Sequence, residues 1–220
     1  MRRVMSELVS YIIIAVISYF IGSTPTGFVF GKVLKGVDIR EHGSGNMGAT
    51  NVFRVIGKGP GAVVLILDII KGVLAVVFIA GAFHPSVEGR IVAAIAVVAG
   101  HNWTCFLKFK GGKGVATSLG VLIGLMIVIK GLWLPVLLCL STWIVFFLLT
   151  AIVSISSIIA GISLPIYMVV FDAPFLVNCL SFLFALFVVF RHRPNIERLL
   201  AGNESTVPLP WKRQKENLHS

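Results

Sequence analysis

Three short polar segments of the sequence combine glycines with groups that can bind an anion. The first is GSGNMGATNVFR, residues 43–54, in which three glycines in a G-x-G-x-x-G spacing precede short hydroxyl and amide side chains and an arginine. Glycines let backbone N–H groups converge on an anion, because no side chain stands in the way. The arginine adds a planar, permanently charged fork that suits phosphate. The residues predicted to contact phosphate are Gly43, Ser44, Gly45, Asn46, Thr50, Asn51 and Arg54.

The same glycine spacing occurs in dinucleotide-binding turns, but its context here is different. That fingerprint requires a buried strand before it and a soluble βαβ unit around it. The polar sequence KGVDIREH precedes it instead, and Asp68, twenty residues after Gly48, falls in the next apolar segment. Asp68 and Lys71 are better interpreted as an i, i+3 helix pair, which lowers the free-energy cost of burying both charges. A tight glycine-rich turn at a helix start is the alternative to the phosphate site.

The second polar segment is HNWTCFLKFKGGKGVATS, residues 101–118. It is not a Walker A loop, because Leu107 stands where a glycine is needed and Gly114 where a serine or threonine is needed. Two lysines flanking glycines at the start of a predicted helix still offer backbone amides, a helix N-terminus and a mobile positive charge to an anion. The residues predicted to act here are His101, Lys110, Gly111, Gly112, Lys113 and Thr117.

The third polar segment is RHRPNIERLL, residues 191–200. Because an unperturbed histidine titrates near neutrality, His192 is expected to be able to donate to an oxyanion, and Asn195 can donate an amide N–H. The alternative interpretation is a basic membrane stop signal in which Pro194 turns the chain. An uncharged turn near residues 150–157 adds Ser154 as a candidate contact for a substrate phosphate.

The elements that position these segments are predicted to be transmembrane helices. The chain is 57% apolar and 13% charged, with a mean hydropathy of +0.96, whereas soluble domains are nearer to a quarter charged. A span needs about 20 apolar residues. We therefore predict an all-α polytopic membrane protein with seven spans, at roughly 8–30, 60–83, 90–107, 114–130, 132–150, 153–171 and 174–190.

Basic residues predict the orientation of these spans. With the N-terminus outside and the C-terminus in the cytoplasm, most of the 19 lysines and arginines fall in cytoplasmic segments. All three polar segments then lie on the cytoplasmic face. We predict one membrane domain, residues 1–202, with active-site loops 43–54, 101–118 and 191–200, followed by a polar cytoplasmic tail, residues 203–220. Basic residues of that tail are interpreted as a lipid-attracting group: Lys212, Arg213 and Lys215.

Other partners are not expected. The net charge of +10 is dispersed between spans and accompanies no nucleic-acid-binding module. The three cysteines have apolar surroundings and no metal-ligand spacing, so they are interpreted as buried small hydrophobes. No metal site is predicted.

At these motifs the chain resembles the PlsY family, bacterial membrane glycerol-3-phosphate acyltransferases that use acyl phosphate as donor. The family's motifs look like GSGNxGATNxxR, a histidine followed by FKGGKGVAT, and HRxNIxRL; here they read GSGNMGATNVFR, GHNWTCFLKFKGGKGVAT and HRPNIERLL. Departures occur at Thr104, where the family usually has proline, at Lys108, where a small residue is common, and at Pro194, where glutamate is usual. The second loop is therefore expected to bend differently.

The resemblance implies a seven-helix protein of the bacterial inner membrane with its active site on the cytoplasmic face. It implies transfer of a fatty acyl group from acyl phosphate to the 1-hydroxyl of sn-glycerol 3-phosphate, giving lysophosphatidic acid and phosphate in the first acylation of phospholipid synthesis. The resemblance implies that the reaction requires no acyl-CoA, no metal and no other cofactor. The implied partners are the two substrates and membrane lipid, with no obligate protein partner.

For this reaction we hypothesise a catalytic set of Ser44, Arg54, Lys113, His192 and Asn195. The arginine and lysine clamp substrate phosphates, Ser44 orients the donor, and His192 and Asn195 face the acyl carbonyl. The general base that accepts the hydroxyl proton is not assigned, and the two candidates are His192 and the acceptor's own phosphate. A His-x4-Glu dyad of His192 with Glu197 is discounted, because residues five apart on a helix diverge by about 140°. A covalent Ser44 intermediate is poorly supported, since no triad-like arrangement is evident.

Two other classes of function compete with the enzyme. A transporter of a phosphate ester or lipid would also use glycine and proline within spans, as at Gly22, Pro25 and Pro165. A lipid-binding scaffold would explain the basic loops but not their glycine spacing. Pro25 is also predicted to disturb the first span, because proline removes a backbone donor.

Overall fold

The computed structural model describes the backbone of residues 2–208 and the side chains of residues 4–208. The α-helices in this range are α1 (Arg2–Ser23), α2 (Thr26–Lys35), α3 (Ala49–Val55), α4 (Lys58–Val73), α5 (Ala80–Phe83), α6 (Val87–Asn102), α7 (Val115–Val128), α8 (Trp133–Thr150), α9 (Val153–Val170), α10 (Phe175–Arg191) and α11 (Arg193–Leu200). A π-helical stretch, Leu74–Ile79, joins α4 to α5, and the loops hold two single 3-10 turns, Ile39–Glu41 and Cys105–Leu107. Residues 2–208 contain no strand, so the dinucleotide-binding unit is absent from this range.

Each of the seven predicted spans coincides with one helix or with a run of consecutive helical elements, and the all-α class is confirmed. Five helical segments of the described chain are long and apolar enough to cross a membrane, or six if α10 and α11, which meet at 55°, form one bent span. The fourth predicted span, α7, has 14 residues. Its length is about 21 Å, against about 30 Å for a bilayer core. Seven crossings and their orientation therefore stay predictions.

The first span is broken at Pro25, as the sequence predicts. Helix α1 ends at Ser23 and α2 begins at Thr26. The carbonyls that the break leaves without helical partners are bonded from outside: Thr104 Oγ1 donates to the Ser23 carbonyl and Lys71 Nζ to the Thr24 carbonyl, both at 2.5 Å. Both side chains come from other helices or loops, so the break is a packed joint inside the protein.

Two helix crossings rest on glycines that bring backbones into direct contact. Between α1 and α6, a Cβ at Gly22 would collide with the backbone of Val97, and one at Gly100 with the backbone near Tyr19. Between α4 and α7, Gly72 and Gly120 are packed against the opposite backbone in the same way. Small residues allow this close packing in membrane helices. The crossings fix the end of α6 and the start of α7, which flank the second polar loop.

The buried side chains form two clusters. The larger one extends through α1, α6, α7, α9 and α10, with Phe184, Met168 and Leu125 among its fully buried members. The smaller one lies under the first polar loop and consists of Ile39, Met47, Val52, Val64 and Leu107. The first loop therefore has an apolar floor of its own.

The start of the predicted tail packs against the membrane domain. The amide of Asn203 donates to the carbonyl of Arg198, and the amide of Val207 to the carbonyl of Ala151, both at 2.8 Å. The side chain of Glu204 is only 6% exposed. Residues 203–208 are therefore attached to the membrane domain at Asn203, Glu204 and Val207, although most of them are exposed. Lys212, Arg213 and Lys215 lie outside the described residues.

Candidate active site

The first polar loop is held in shape by the side chain of Asn51, near the start of α3. Its Oδ1 accepts a hydrogen bond from the amide of Ser44, and its Nδ2 donates to the carbonyls of Ile39 and His42, all at 2.9 Å. Asn51 is 1% exposed. The sequence predicts that Asn51 contacts substrate, but its polar atoms are engaged inside the loop. Its role here is to support the loop.

The glycines of this loop let the chain turn over Asn51. Gly43 and Gly45 have φ values of 61° and 70°, in the left-handed region that favours glycine. A Cβ at Gly43 would also collide with Oδ1 of Asn51. Asn46 closes the next turn, because its Oδ1 accepts from the amide of Gly48 at 2.8 Å. The glycine spacing therefore builds a compact loop over a buried asparagine.

The second polar loop packs on the C-terminal end of α6. The amide of Gly111 donates to the carbonyl of Asn102 at 3.2 Å, and the amide of Gly112 to the carbonyl of His101 at 3.0 Å. These are carbonyls that a helix end leaves without intrahelical partners. Both amides are thus engaged with α6 in this structure, so the prediction that Gly111 and Gly112 contact substrate stays a prediction without support from their N–H groups. Their contribution is to hold the loop in place.

Arg191, at the end of α10, ties the second loop to the third segment. Its Nε and Nη2 donate to the carbonyl of Gly112 at 3.0 and 2.7 Å, and Nη2 donates to the carbonyl of Gly111 at 3.0 Å. Its guanidinium also lies 5.9 Å from the ring centroid of Trp103, within range of a cation–π contact. Sequence reasoning assigned Arg191 no contact. An arginine directly after a long apolar run was the available signal, and it was attributed to membrane topology alone.

His101 lies beneath the second loop. A Cβ at Gly112 would collide with its Nε2, and its Nδ1 is 3.7 Å from Oδ1 of Asp68. The same carboxylate oxygen accepts from Lys71 at 2.8 Å and from Thr26 at 2.7 Å. The predicted Asp68–Lys71 pair is thus confirmed. His101 is 3% exposed, so it supports the loop from below, in place of the predicted contact with substrate.

Lys113 extends from the second loop to the third segment. Its Nζ donates to Oδ1 of Asn195 at 2.6 Å. Burial lowers the pKa of Lys113 to about 8; Glu204 opposes this shift, and nearby arginines add to it. A lysine with such a pKa changes its charge in a range close to physiological pH, so its neighbours control how much of it is protonated.

The amide of Asn195 connects Lys113 to an acidic residue, Glu204. Its Nδ2 donates to Oε1 of Glu204 at 2.6 Å, and that oxygen also accepts from Ser154 Oγ at 2.8 Å. The other oxygen, Oε2, accepts from Arg198 Nε at 2.7 Å. Burial would raise the pKa of Glu204, but the hydrogen bonds outweigh it, and the pKa lies below its usual value. Glu204 is therefore a carboxylate anion inside the protein.

Sequence reasoning missed Glu204, which it placed in the polar cytoplasmic tail. The available signal was an acidic residue shortly after a helix that carries two arginines, α11. Ser154 was a candidate for a substrate phosphate, but it is 4% exposed and its hydroxyl donates to Glu204. The contact of Ser154 is thus with the protein's own anion.

His192 lies at the junction of α10 and α11. Its Nδ1 is 2.7 Å from the carbonyl of Val188, so the neutral ring donates from that nitrogen. Burial lowers the pKa of His192 to about 4, and the charge of Lys113 adds to this. His192 is therefore neutral at physiological pH and a weak base. The geometry excludes the dyad with Glu197, which is 65% exposed and bonds Arg193 at 3.2 Å.

Two adjoining cavities share Gly45 and Gly111. The larger, of about 430 Å³, brings all three polar segments together, and we call it the three-loop cavity. Its lining residues are Ser44, Gly45, Asn46, Gly111, Lys113, Phe190, Arg191, Arg193, Pro194, Asn195 and Arg198. The smaller, of about 410 Å³, is the first-loop cavity, lined by Asp38, Arg40, Glu41, Gly45, Met47, Lys110 and Gly111. The predicted convergence of the three segments is confirmed.

Four further predicted contact residues lie outside the lining of the three-loop cavity, as do Gly43, Asn51, His101, Gly112, Ser154 and His192. Lys110 is exposed and lines the first-loop cavity. Arg54 is exposed in the last turn of α3 and has no hydrogen-bonding partner among the residues described, although its charge lowers the pKa of Lys113. Thr50 is half-buried in the first turn of α3, and Thr117 is fully buried in α7. Lys113 is thus the central cation, and Arg54 and Lys110 are peripheral.

The motif departures can be placed on the local backbone. Thr104 has a φ of −65°, a value that proline also adopts, and the expectation of a different bend in this loop stays a prediction. Lys108 has a left-handed φ of 54°. Pro194 is the second residue of α11, in the first helical turn, where the missing N–H of proline loses no intrahelical bond.

The family model for glycerol-3-phosphate acyltransferase matches residues 12–202. The chain belongs to the glycerol-3-phosphate acyltransferase family. A glycerol-3-phosphate acyltransferase of Synechococcus sp. (strain CC9902) is 42% identical over 200 residues, which are 91% of this chain and 96% of the relative. That of Synechocystis sp. (strain PCC 6803) is 46% identical over 198 residues, 86% of each chain.

Crystal structures of PlsY, an integral membrane glycerol 3-phosphate acyltransferase, share the fold. The glycerol 3-phosphate form has a TM-score of 0.82 at 37% identity, covering 90% of this chain and 96% of PlsY. The lysophosphatidic acid form has a TM-score of 0.80 at 36% identity, with the same coverage. Membership of the PlsY family, expected from the three motifs, is confirmed. The chain is thus a multi-pass membrane protein of that family.

Proposed function

We propose that the protein transfers a fatty acyl group from acyl phosphate to the 1-hydroxyl of sn-glycerol 3-phosphate, giving lysophosphatidic acid and phosphate. The observation that carries the proposal is the three-loop cavity. Among the residues described, its lining includes four basic side chains, Lys113, Arg191, Arg193 and Arg198, and no acidic one. Both proposed substrates carry phosphate, and phosphate is favoured in such a setting. Family membership supplies the acyltransferase class and the glycerol 3-phosphate acceptor.

The cavity also meets the apolar requirement of one substrate. Phe190 lines it and is 64% exposed on α10, one of the apolar helices of the membrane domain. An acyl phosphate has a charged head and a hydrocarbon tail. Its head can enter the basic cavity while its tail stays in lipid, so an amphiphilic donor suits this position. The donor identity itself comes from the motif resemblance.

In the proposed reaction the hydroxyl oxygen of glycerol 3-phosphate attacks the acyl carbonyl carbon. The bond between that carbon and the phosphate oxygen breaks, and inorganic phosphate leaves. Because acyl phosphate is a mixed anhydride and already activated, positioning and charge stabilisation supply much of the rate. Lys113 neutralises phosphate charge at the centre of the cavity, and Arg54 moves in from the periphery as a second clamp. Ser44 and Asn195 orient the donor and its carbonyl.

The proton of the attacking hydroxyl must be accepted by a group with sufficient basicity. His192 is neutral, but its pKa of about 4 makes it a weak base, and its Nδ1 is engaged with the carbonyl of Val188. Efficient general bases have a pKa near the working pH. Of the two options, the acceptor's own phosphate is therefore favoured, and His192 is assigned to the packing and polarity near the carbonyl.

A transfer assay tests the proposed function. The purified full chain receives palmitoyl phosphate and glycerol 3-phosphate without CoA or added metal, and lysophosphatidic acid is measured. We expect product together with an equal amount of phosphate. Absence of product from well-folded protein would contradict the proposal. Uptake of glycerol 3-phosphate into vesicles would then be measured, because a transporter is the competing class of function.

We further propose that the protein lies in the bacterial inner membrane with the three-loop cavity facing the cytoplasm, from the distribution of basic residues. Single cysteines at Asn46 and Glu197, in a background without the three native cysteines, should react with an impermeant reagent only from the cytoplasmic side. A cysteine at Glu88, predicted on the outer side, is the control. Labelling of Asn46 and Glu197 from opposite sides would disprove a shared cytoplasmic cavity.

A further inference from the structure

The proposed reaction leaves one buried charge beside the site without a role, the carboxylate of Glu204. We propose that Glu204 is a positioning residue, which fixes the amide of Asn195 and, through it, the ammonium group of Lys113 in the orientation that meets substrate phosphate. This inference rests on the proposed function. Its support comes from three features of the contacts around Glu204.

The first feature is the direction of the hydrogen bonds. A lysine ammonium can only donate, and an ionised carboxylate can only accept. Asn195 lies between the two, with Oδ1 accepting from Lys113 and Nδ2 donating to Glu204, both at 2.6 Å. The reversed amide would set donor against donor and acceptor against acceptor. Glu204 therefore selects one orientation of the Asn195 amide, and that orientation presents an acceptor to Lys113.

The second feature is the fixation of the carboxylate itself. Its two oxygens receive hydrogen bonds from Ser154 on α9, Asn195 on α11 and Arg198 on α11. The flanking backbone is bonded as well, because the amide of Val207 donates to the carbonyl of Ala151. With its side chain 6% exposed, Glu204 has little freedom to move. Its position is set by two helices, so it can hold the Asn195 amide steadily.

The third feature is charge. The charged groups that act on Lys113 are Glu204 and three arginines, Arg54, Arg191 and Arg198. His192, also close, is neutral for the reason given above. Glu204 is the acidic member of this set. It favours the protonated form of Lys113, whereas burial and the arginines favour the neutral form. Loss of its charge should leave more Lys113 deprotonated at a given pH.

A rival interpretation treats Glu204 as a stand-in for substrate phosphate, displaced when substrate binds. Glu204 is absent from the lining of the three-loop cavity, whereas Lys113 and Asn195 line it. A phosphate can therefore reach Lys113 without passing through the position of Glu204. The two interpretations also predict opposite effects on substrate affinity, which the experiment below uses.

The test compares wild type, Glu204→Gln and Glu204→Asp as purified full-length proteins, with kcat and KM measured from pH 6 to 10. We expect Glu204→Gln to lower kcat/KM by about tenfold to a hundredfold and to move the alkaline limb of the profile to lower pH. Glu204→Asp keeps the charge, so its limb should stay at the wild-type position even if its rate falls. Arg198→Met removes a cation near Lys113 and should move the limb to higher pH.

Each outcome decides the question. An inactive wild type defeats the proposed function and is distinguishable from a failure of this inference. With an active wild type, a Glu204→Gln rate loss without a shifted limb indicates a merely structural residue and overturns the proposal. A lower KM for glycerol 3-phosphate in Glu204→Gln favours the stand-in interpretation and also overturns it. If Glu204→Gln does not fold, Glu204→Asp decides the question. Because that variant keeps the charge, a shift of its alkaline limb to lower pH is the contradicting result.

Discussion

Lys113 and Arg54 carry the same charge and the same predicted role, yet they lie in opposite surroundings. Lys113 is half-buried, is bonded to Asn195 and lines the cavity in which the three polar segments meet. Arg54 is exposed and has no hydrogen-bonding partner among the residues described. A charge that is already in place needs no ordering when substrate binds, whereas a mobile side chain loses rotamer entropy. The site thus combines one preorganised cation with one that substrate must recruit.

The largest effect is expected at the preorganised cation. Lys113→Ala should lower kcat by about 10² to 10³, the scale of losing one preorganised charge-stabilising donor. Steady-state acyl transfer by the purified variant measures this. Lys212→Ala, outside the described residues, serves as the charge-matched control and should stay near wild type. Similar rates for the two variants would show that Lys113 is a topology signal only.

The second effect is expected in the pH dependence of kcat/KM, which follows the charge of Lys113. Since the pKa of Lys113 is lowered to about 8, its protonated form predominates below that pH and is lost as pH rises through it. We expect kcat/KM to fall about tenfold per pH unit once the pH exceeds this pKa. His192, with a pKa of about 4, should add no step between pH 5 and 7. A protein-derived step near pH 6.5, or a constant rate up to pH 10, would contradict these assignments.

A smaller loss is expected at the recruited cation. Arg54→Lys keeps the charge but removes the bidentate fork. We expect kcat/KM to fall by at least about tenfold, mainly through a higher KM for a phosphate-bearing substrate, with normal membrane insertion. Kinetics with each substrate varied in turn make the measurement. If Arg54→Lys matches Lys212→Ala, Arg54 does not belong to the site.

Substitution of Asn51, which supports the first loop, is expected to have the smallest effect on catalysis. Asn51→Ala would leave the Ser44 amide and two carbonyls without partners, at a cost of about 1–3 kcal/mol in the free energy of unfolding. Thermal unfolding in detergent should show a lower midpoint. Glu197→Ala, at a 65% exposed side chain, is the control and should change the midpoint little. An unchanged midpoint for Asn51→Ala would show that the loop holds its shape without the asparagine.

Features governed by local pattern were predictable from the sequence. Apolar runs predicted the helices, the i, i+3 spacing predicted the Asp68–Lys71 pair, and Pro25 predicted the break in the first span. The charge distribution predicted that the three polar segments meet, and the cavity lining shows that they do.

Features that depend on which groups become neighbours in the fold were not predictable. Asn51, His101 and Gly112 are the residue types of a phosphate site, yet their polar groups are used by nearby carbonyls or buried beneath the loop. Glu204 has the sequence setting of a tail, and only the return of residues 203–208 to α9 brings it beside Asn195. Chemical type identified the site, but the fold decided which residues face it and which support it.

A crystal structure with glycerol 3-phosphate bound would locate the phosphate and so distinguish the two cavities. We expect the phosphate in the three-loop cavity, with at least one oxygen within about 3.2 Å of Lys113 Nζ and with Arg54 turned towards the ligand. A phosphate bound only in the first-loop cavity, beside Lys110 and Arg40, with Arg54 still exposed and Lys113 bonded only to Asn195, would contradict this expectation.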